Sequence, residues 1–375
     1  MEAGVGTLVV GAGSAGLATA AALVKAGQPV SLLEKADQIG ASWAGRYDSL
    51  HLHTVRWLSG LPGFRIPRSY GRWVARDDLI HYLREYAELS GLRPELGVTV
   101  ERIERAEDSG WLVVTDRGVR ACRRVVLATG GSHTPRLPDW PGLETFPREV
   151  VHSADYREPS AYAGRGVLVV GAGNSATEIA LDLLSVGATV TLSVRTPPSI
   201  LRREILGLPI QLLGLALIKA PPGVINPLVA ATRRVSVPDL SAQGLPRIRN
   251  PYTQFKETGT VPIIDSGIVA AVRLGQVRVA AATVSFDGPR VRLSDGSTVE
   301  PDAVIAATGF TTGLVPLVGH LGVLDSRGWP LADGANELPS ARGLYFVAIQ
   351  PRIAGQLFEI ARQARAVGEA IAAAA

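Results

Sequence analysis

One short pattern occurs twice in this chain of 375 residues and limits what the chain can fold into. Residues 8–16 (LVVGAGSAG) recur as residues 168–176 (LVVGAGNSA). Each copy begins with an apolar, valine-rich run typical of a buried parallel strand, and then passes through glycines into a stretch rich in alanine and leucine. A second apolar strand follows each stretch, at 29–33 and at 188–194. The sequence therefore predicts two strand–helix–strand units.

The glycines of such a motif have separate physical roles. The first allows a tight turn, the second lets the backbone approach a pyrophosphate, and the third lets the helix pack closely on the strand. The helix then offers free N–H groups and the positive end of its dipole to the phosphates. In the second copy Ala176 takes the third place, which the motif tolerates. A tight turn without a ligand is the alternative for one copy, but the strands and helix around both favour two dinucleotide sites.

The residues that follow the second strand of each unit distinguish the two dinucleotides. Glu34 follows the first, and an acid there binds ribose hydroxyls and repels a 2′-phosphate. Arg195 follows the second with no acid beside it, and a guanidinium suits a 2′-phosphate. We therefore assign FAD to the first unit and NADPH to the second. Ordinary surface charges at the strand ends are the alternative interpretation.

Two further apolar strands end in the same tripeptide, Ala-Thr-Gly, at 128–130 and at 307–309. They bracket the second unit, which indicates that the NADPH domain is inserted into the FAD domain. We predict an α/β fold with two Rossmann-like domains. Their expected bounds are 1–157 and 290–375 for the two parts of the FAD-binding domain, and 158–289 for the NADPH-binding domain with an apolar insertion near 200–265.

Composition excludes several classes of function. The 38 basic and 34 acidic residues give a net charge of +4 without a clustered basic stripe, so no nucleic-acid partner is expected. The single cysteine, Cys122, excludes a Cys-x-x-Cys redox pair, and no metal site is predicted. We expect a soluble cytoplasmic protein, because no signal peptide is present and prolines interrupt the apolar segment 205–230. That segment could pack in the core, line a substrate tunnel or rest on a membrane surface.

In this order the motifs resemble those of the class B flavin-dependent monooxygenases, which include flavin-containing, YUCCA-type and Baeyer–Villiger monooxygenases. The resemblance extends over essentially the whole chain. The family fingerprint, roughly F-x-G-x-x-x-H-x-x-x-aromatic, matches Phe146, His152 and Tyr156, with Arg148 in place of the glycine. Tyr156 stands where Baeyer–Villiger enzymes usually have tryptophan and favours the other two branches. Further matches lie at 34–35, 40–43, 47–53, 193–198 and 343–347.

The motifs and the resemblance together predict the binding residues of both cofactors. His53 occupies the place of an asparagine that lies near the flavin in flavin-containing monooxygenases. His53 is our candidate catalytic residue, which would modulate the reaction of the flavin with oxygen. The alternative is that His53 has a structural role. The residues predicted to bind FAD are Gly11, Gly13, Ser14, Ala15, Gly16, Glu34, Lys35, Trp43, Ala128, Thr129 and Gly130. The residues predicted to bind NADPH are Gly171, Gly173, Asn174, Ser175, Arg195, Thr308 and Gly309.

The resemblance also implies a reaction. NADPH would reduce FAD, and reduced FAD would react with molecular oxygen to form a flavin C4a-(hydro)peroxide. The protonated form transfers oxygen to an amine or sulfide, whereas the deprotonated form attacks a carbonyl, including that of a 2-oxo acid. We therefore expect an NADPH-dependent FAD monooxygenase with a small, apolar or aromatic substrate, and a homodimer is left open.

Two other kinds of protein remain as alternatives. One is an NAD(P)H-dependent flavoprotein reductase that passes electrons to a non-disulfide acceptor. The other is a nucleotide-binding protein without turnover. NADPH consumption distinguishes them, because a binding protein consumes none and a reductase consumes it only with an acceptor.

Overall fold

The computed structural model describes residues 5–107, 110–217, 221–246, 253, 255, 257, 259–352 and 354–374. The chain forms two compact units. The first comprises Met1–Ala44, Thr54–Thr134 and Phe310–Ala375, and the second comprises Gly45–His53 and Pro135–Gly309. The second unit is thus inserted into the first, which confirms the predicted nested arrangement of the fold.

The described residues contain 20 strands, nine α-helices and several short 3-10 helices. The strands are β1 (Val5–Val10), β2 (Val30–Leu33), β3 (Val100–Arg105), β4 (Trp111–Thr115), β5 (Gly118–Leu127), β6 (Thr134–Pro135), β7 (Glu149–His152), β8 (Gly166–Val170), β9 (Thr189–Ser193), β10 (Ile200–Arg202), β11 (Glu204–Ile205), β12 (Leu208–Pro209), β13 (Ile263–Asp265), β14 (Val277–Ala280), β15 (Thr283–Asp287), β16 (Arg290–Leu293), β17 (Thr298–Val299), β18 (Ala303–Ala306), β19 (Phe310–Thr311) and β20 (Leu344–Phe346). The α-helices are α1 (Ser14–Lys25), α2 (Ala41–Ala44), α3 (Arg76–Leu89), α4 (Asn174–Ser185), α5 (Ile210–Leu217), α6 (Pro222–Ser236), α7 (Ile268–Arg273), α8 (Leu314–Val318) and α9 (Gln356–Ala373). The 3-10 helices are Arg56–Leu58, Arg68–Tyr70, Leu143–Thr145, Ser160–Tyr162, Ser241–Gln243, Gly319–Leu321 and Pro339–Ala341.

The first unit contains one mixed sheet in the order β2-β1-β5-β4-β3, with β20 also paired to β5. Strand β1 is parallel to β2 and β5, whereas β3 and β4 add an antiparallel meander. Small residues let helices α1 and α9 pack closely, because a Cβ atom at Gly368 would lie 2.9 Å from the Ala22 side chain. The predicted strand–helix–strand unit is confirmed as β1, α1 and β2.

The second unit contains a five-stranded parallel sheet in the order β14-β9-β8-β18-β7. Its central strands are apolar and almost fully covered, as expected for parallel strands, with α4 and α7 on one face and residues of β15 and β16 on the other. Val169, Ile179 and Ile305 share one core with the inner faces of α4 and α7. Strand β8, helix α4 and strand β9 confirm the second predicted strand–helix–strand unit.

The chain passes between the units at 44/45, 53/54, 134/135 and 309/310, and the last two crossings differ from the bounds of 158 and 289 that the sequence predicted. Register explains the first difference, because Val150 and Val151 of β7 pair in parallel with β18. Strand β7 therefore belongs to the sheet of the second unit. At the other end, β18 pairs with β8, and so the chain leaves the second unit only after this strand.

The described part of the segment predicted as an apolar insertion contains short strands and the helices α5 and α6, with Pro227 inside α6. Ile200, Leu240 and Ile263 from this segment are buried in the core of the second unit, which supports the core-packing interpretation for part of it. Among the described helices, none combines the length and the hydropathy that crossing a membrane requires.

Candidate cofactor and active sites

The first glycine turn leaves room for a ligand at one position and is tightly packed at two others. Gly11 has φ +102°, and a Cβ atom there would lie 2.8 Å from the carbonyl oxygen of Ala128. A Cβ atom at Gly16 would lie 1.7 Å from the oxygen of Gly11. By contrast, the nearest atom to a Cβ at Gly13 is the hydroxyl of Ser42 at 3.8 Å. This open cradle at the start of α1 fits the pyrophosphate of FAD.

Side chains around this turn are held in place by hydrogen bonds. One oxygen of Glu34 accepts a bond from the N–H of Ala12 at 2.6 Å, and the other accepts one from Ala36 at 2.9 Å. The indole N–H of Trp43 donates to the hydroxyl of Ser14 at 3.3 Å. Glu34, Trp43 and Ser14 therefore all lie against the glycine turn, as a shared role in binding FAD requires.

The first Ala-Thr-Gly turn borders the same cradle. Ala128, the first residue after β5, donates its N–H to the oxygen of Val10 at 2.9 Å. This hydrogen bond fixes the turn at the ends of β5 and β1. The hydroxyl of Thr129 is buried and has no hydrogen-bond partner among the residues that the structure describes. An unpaired buried hydroxyl costs about 1–3 kcal/mol, so a ligand atom that satisfies it would be favoured. Of the other residues predicted to bind FAD, Lys35 is exposed.

The second glycine turn repeats this arrangement in the second unit. Gly171 has φ +135°, and a Cβ atom there would lie 2.3 Å from the oxygen of Ala307. At Gly173 no heavy atom lies within 4 Å of the Cβ position. Ala176 is fully buried, so the alanine at the third place is accommodated in the core. The residues present fit a second pyrophosphate, placed at the start of α4.

The polar residues of the second site differ in the hydrogen bonds and ion pairs that they form with other described residues. The Asn174 side chain accepts a hydrogen bond from the N–H of Ile264 at 2.9 Å and so fixes β13, which leaves its backbone for phosphate binding. Arg195 is exposed and forms no ion pair with any other described residue. The Thr308 hydroxyl donates to the oxygen of Arg136, and Gly309 has φ +86°.

The fingerprint residues have structural roles in the second unit. The Nε2–H of His152 donates to the oxygen of Gly309 at 3.1 Å, and its Nδ1 accepts from Ala154 at 3.0 Å. Burial lowers the pKa of His152, which agrees with a neutral ring. Through this ring the fingerprint fixes the second Ala-Thr-Gly turn. Phe146 is buried against Phe286, with the ring centroids 5.3 Å apart.

Arg148 and Tyr156 complete the fingerprint. The Arg148 guanidinium donates to the oxygen of Pro301 at 2.6 Å and lies 3.6 Å from Asp302, so the arginine found in place of the family glycine binds the loop before β18. Tyr156 donates its hydroxyl to Asp182 at 2.9 Å. Burial and this carboxylate raise the pKa of Tyr156, which keeps the phenol a donor.

His53 belongs to a half-buried cluster around one carboxylate, which the sequence did not predict. Its Nε2 hydrogen-bonds one oxygen of Glu178, and the Tyr47 hydroxyl donates to the other. The His53 and Glu178 side chains are 23% and 13% exposed, respectively. Arg203 is half-buried nearby and donates to the oxygen of Leu52. In the sequence, the only local feature that points to Glu178 is that it is an acidic residue in a helix whose neighbouring positions are buried.

His51 does not share the environment of His53. It is exposed, and its Nδ1 donates to the backbone oxygen of Ser49 at 2.8 Å. Of these two histidines, His53 alone faces a carboxylate in the described structure.

A further cleft, which the sequence analysis did not identify, lies in the first unit and has a volume of about 730 Å³. Three arginines and one half-exposed tryptophan lie in its walls beside glycine, isoleucine and proline. The guanidinium of Arg72 lies 5.7 Å from the centre of the Trp57 ring, a cation–π distance. Such walls suit a planar anion. The residues that line the cleft include Arg56, Trp57, Arg65, Ile66, Pro67 and Arg68.

Comparison with known proteins gives consistent results. The family model described as pyridine nucleotide-disulphide oxidoreductase matches residues 8–204. Indole-3-pyruvate monooxygenase YUCCA1 of Oryza sativa subsp. japonica is 33% identical over 360 residues, which cover 92% of this chain and 87% of the relative. The probable indole-3-pyruvate monooxygenase YUCCA4 of Arabidopsis thaliana is 32% identical, with 92% and 85% covered.

Solved structures share the fold. The flavin-containing monooxygenase from Stenotrophomonas maltophilia superposes with a TM-score of 0.76 at 24% identity, over 99% of this chain and 98% of the other. A cyclohexanone monooxygenase bound to epsilon-caprolactone superposes with a TM-score of 0.75 at 19% identity, over 99% and 88%. At these identities the likeness concerns the fold alone.

Proposed function

The chain belongs to the flavin-dependent monooxygenases within the pyridine nucleotide-disulphide oxidoreductase family, and on this premise we propose that it oxygenates an aromatic 2-oxo acid. It is an oxidoreductase that uses FAD and NADPH. The proposal for the substrate rests on the 33% identity to an indole-3-pyruvate monooxygenase over 92% of the chain. The family name includes disulphide reduction, but Cys122 is the only cysteine and cannot form a reactive pair.

In this proposal the first unit holds FAD and the second holds NADPH. The open backbone at Gly13 and at Gly173 would carry the two pyrophosphates, because a Cβ atom would meet no closer contact than 3.8 Å at either position. Glu34 would accept bonds from ribose hydroxyls, and Arg195 would pair with the 2′-phosphate. When bound, NADPH supplies the hydride and FAD the oxygen chemistry, for which the C4a-(hydro)peroxide remains part of the proposal.

The proposed reaction is an oxidative decarboxylation. The bond between the carboxylate carbon and the carbonyl carbon breaks, and carbon dioxide leaves. One atom of molecular oxygen enters the new carboxyl group and the other leaves as water, while NADPH and a proton supply the two electrons and two hydrogens. The products are therefore an acid shorter by one carbon, carbon dioxide, NADP⁺ and water.

The arginine-lined cleft supports an acidic, aromatic substrate. Arg65 and Arg68 are exposed at its rim and could attract a carboxylate, while the face of Trp57 offers a surface to an aromatic ring. A purely aliphatic amine or sulfide would gain nothing from these walls. We assign to this cleft the attraction of the substrate carboxylate.

The experiment that tests the proposed function is turnover under ¹⁸O₂. The purified protein, loaded with FAD, is mixed with NADPH and indole-3-pyruvate, with an aliphatic 2-oxo acid as the matched control. We expect one ¹⁸O atom in the shortened acid for each NADPH consumed, and much slower turnover of the aliphatic acid. NADPH oxidation with unlabelled product, or with hydrogen peroxide in equal amount, would instead indicate a flavoprotein reductase or oxidase.

A further inference from the structure

We propose that Glu178 is a positioning residue that fixes the tautomer of His53, with the proton on Nε2 and the lone pair on Nδ1. The proposal rests on the proposed function in that His53 is the candidate catalytic residue there. The carboxylate of Glu178 hydrogen-bonds Tyr47 and His53, and it would act through the histidine.

The hydrogen bonds of the carboxylate define the tautomer. The Tyr47 hydroxyl donates to one oxygen of Glu178, and His53 Nε2 lies at the other. Burial and the Glu178 charge raise the pKa of Tyr47, so the phenol keeps its proton and is the donor. An ionised carboxylate can only accept hydrogen bonds, so the imidazole nitrogen that faces it must carry a hydrogen.

The other nitrogen of the ring is left as an acceptor. Among the described residues, none hydrogen-bonds Nδ1 of His53, and the His53 side chain is 23% exposed. In a neutral imidazole the nitrogen without hydrogen accepts a hydrogen bond or takes a proton. The geometry thus gives His53 the arrangement of a carboxylate-oriented base, in which the carboxylate fixes the ring and the far nitrogen handles the proton.

Two positively charged side chains lie near Glu178 and its partners. Arg203 is half-buried and attracts the Glu178 charge, while its guanidinium donates to the oxygen of Leu52, the residue before His53. The positive charge of Arg46, the residue before Tyr47, partly offsets the rise in the pKa of Tyr47. The charged and titratable groups that face the cluster are therefore Tyr47, His53, Arg46 and Arg203, contributed by residues 45–53 and by the segment after β10.

The variant that tests the proposal is Glu178→Gln. The amide has the shape of the carboxylate but can donate as well as accept, so it no longer requires a hydrogen on Nε2 of His53. Loss of a group that orients a proton-transferring histidine lowers kcat by roughly 10- to 100-fold. Because Glu178 lies on α4, a purely structural role would show instead as weaker NADP⁺ binding. We expect unchanged NADP⁺ binding together with the lower kcat.

The direct measurement is the imidazole ¹⁵N and ¹³C spectrum of the FAD-loaded protein with selectively labelled histidine, at a pH where the rings are neutral. His53→Gln identifies the His53 signals among those of the six histidines. The matched control is Asp182→Asn, which removes a carboxylate one turn further along α4, where it bonds Tyr156 rather than His53. We expect the Nε2–H pattern in the unchanged protein and in this control, and a mixture of tautomers in Glu178→Gln.

Two results would overturn the proposal. An Nδ1–H pattern in the unchanged protein would contradict the tautomer, and an unaltered spectrum or an unaltered kcat in Glu178→Gln would remove the positioning role. The spectrum is independent of turnover, so a failure of the proposed substrate would leave this test intact.

Discussion

Replacing Gly173 with alanine should abolish tight NADPH binding without harming the fold. Gly173 has φ −90° and ψ −179°, which alanine adopts without strain, and no heavy atom of the protein lies within 4 Å of the Cβ position. Stability should therefore change by no more than about 1 kcal/mol, because alanine restricts the unfolded chain but is a poorer N-cap residue than glycine. The added methyl group would instead occupy the space into which the pyrophosphate has to come.

The expected magnitude follows from the hydrogen bonds that would be lost. A backbone N–H bond to a charged phosphate oxygen contributes about 1.5–3 kcal/mol. Losing one such bond raises the Kd for NADPH by roughly 10- to 150-fold at 25 °C. Titration calorimetry gives the Kd, and thermal unfolding of the unliganded protein gives the stability.

Two matched variants separate binding from folding. Gly171→Ala should unfold the second unit or lower its Tm strongly, because φ +135° and an oxygen 2.3 Å from the Cβ position leave no room. Gly223→Ala, in α6, also meets no atom within 4 Å and should leave NADPH binding unchanged. Normal NADPH affinity in a folded Gly173→Ala protein would refute the placement of the pyrophosphate at this turn.

Three further predictions concern the remaining sites. Arg195→Ala should raise the KM for NADPH about 10-fold or more and spare NADH, because a charge-assisted contact to the 2′-phosphate is lost, and an equal effect on both coenzymes would remove Arg195 from that site. Arg65→Ala and Arg68→Ala should each raise the KM for indole-3-pyruvate by about 3- to 10-fold at low salt and less at high salt, and a salt-independent effect would argue against attraction of a carboxylate. Burial raises the pKa of the Cys122 thiol to about 12, so the folded protein at pH 8 should not react with a thiol reagent until it is unfolded, and rapid labelling of the native protein would contradict this burial.

Local patterns were sufficient to predict both dinucleotide-binding units. In a sequence, buried parallel strands appear as continuous apolar runs. Glycines are required after them where another part of the backbone lies too close to admit a side chain, as at Gly11 and Gly171. The second strands also lie where predicted, at β2 and β9. These features depend on residues that are close in sequence and on local backbone geometry, so they can be predicted from a single sequence.

Interactions between distant parts of the chain were not predictable in the same way. His53 and Glu178 are 125 positions apart, and no local pattern indicates that the histidine meets this carboxylate. Likewise, the role of Asn174 in fixing β13 depends on a bond across 90 positions. The pairing of β7 with β18, which brings β7 into the sheet of the second unit, is also a contact that the residues of β7 alone do not encode.

The most direct test of monooxygenase activity is the reaction of the NADPH-reduced protein with oxygen, followed by rapid-mixing absorbance. We expect a transient with absorbance between those of reduced and oxidised flavin, which persists without substrate and decays faster when indole-3-pyruvate is present. A single-step return to oxidised flavin with one hydrogen peroxide per NADPH, unaffected by the 2-oxo acid, would contradict it.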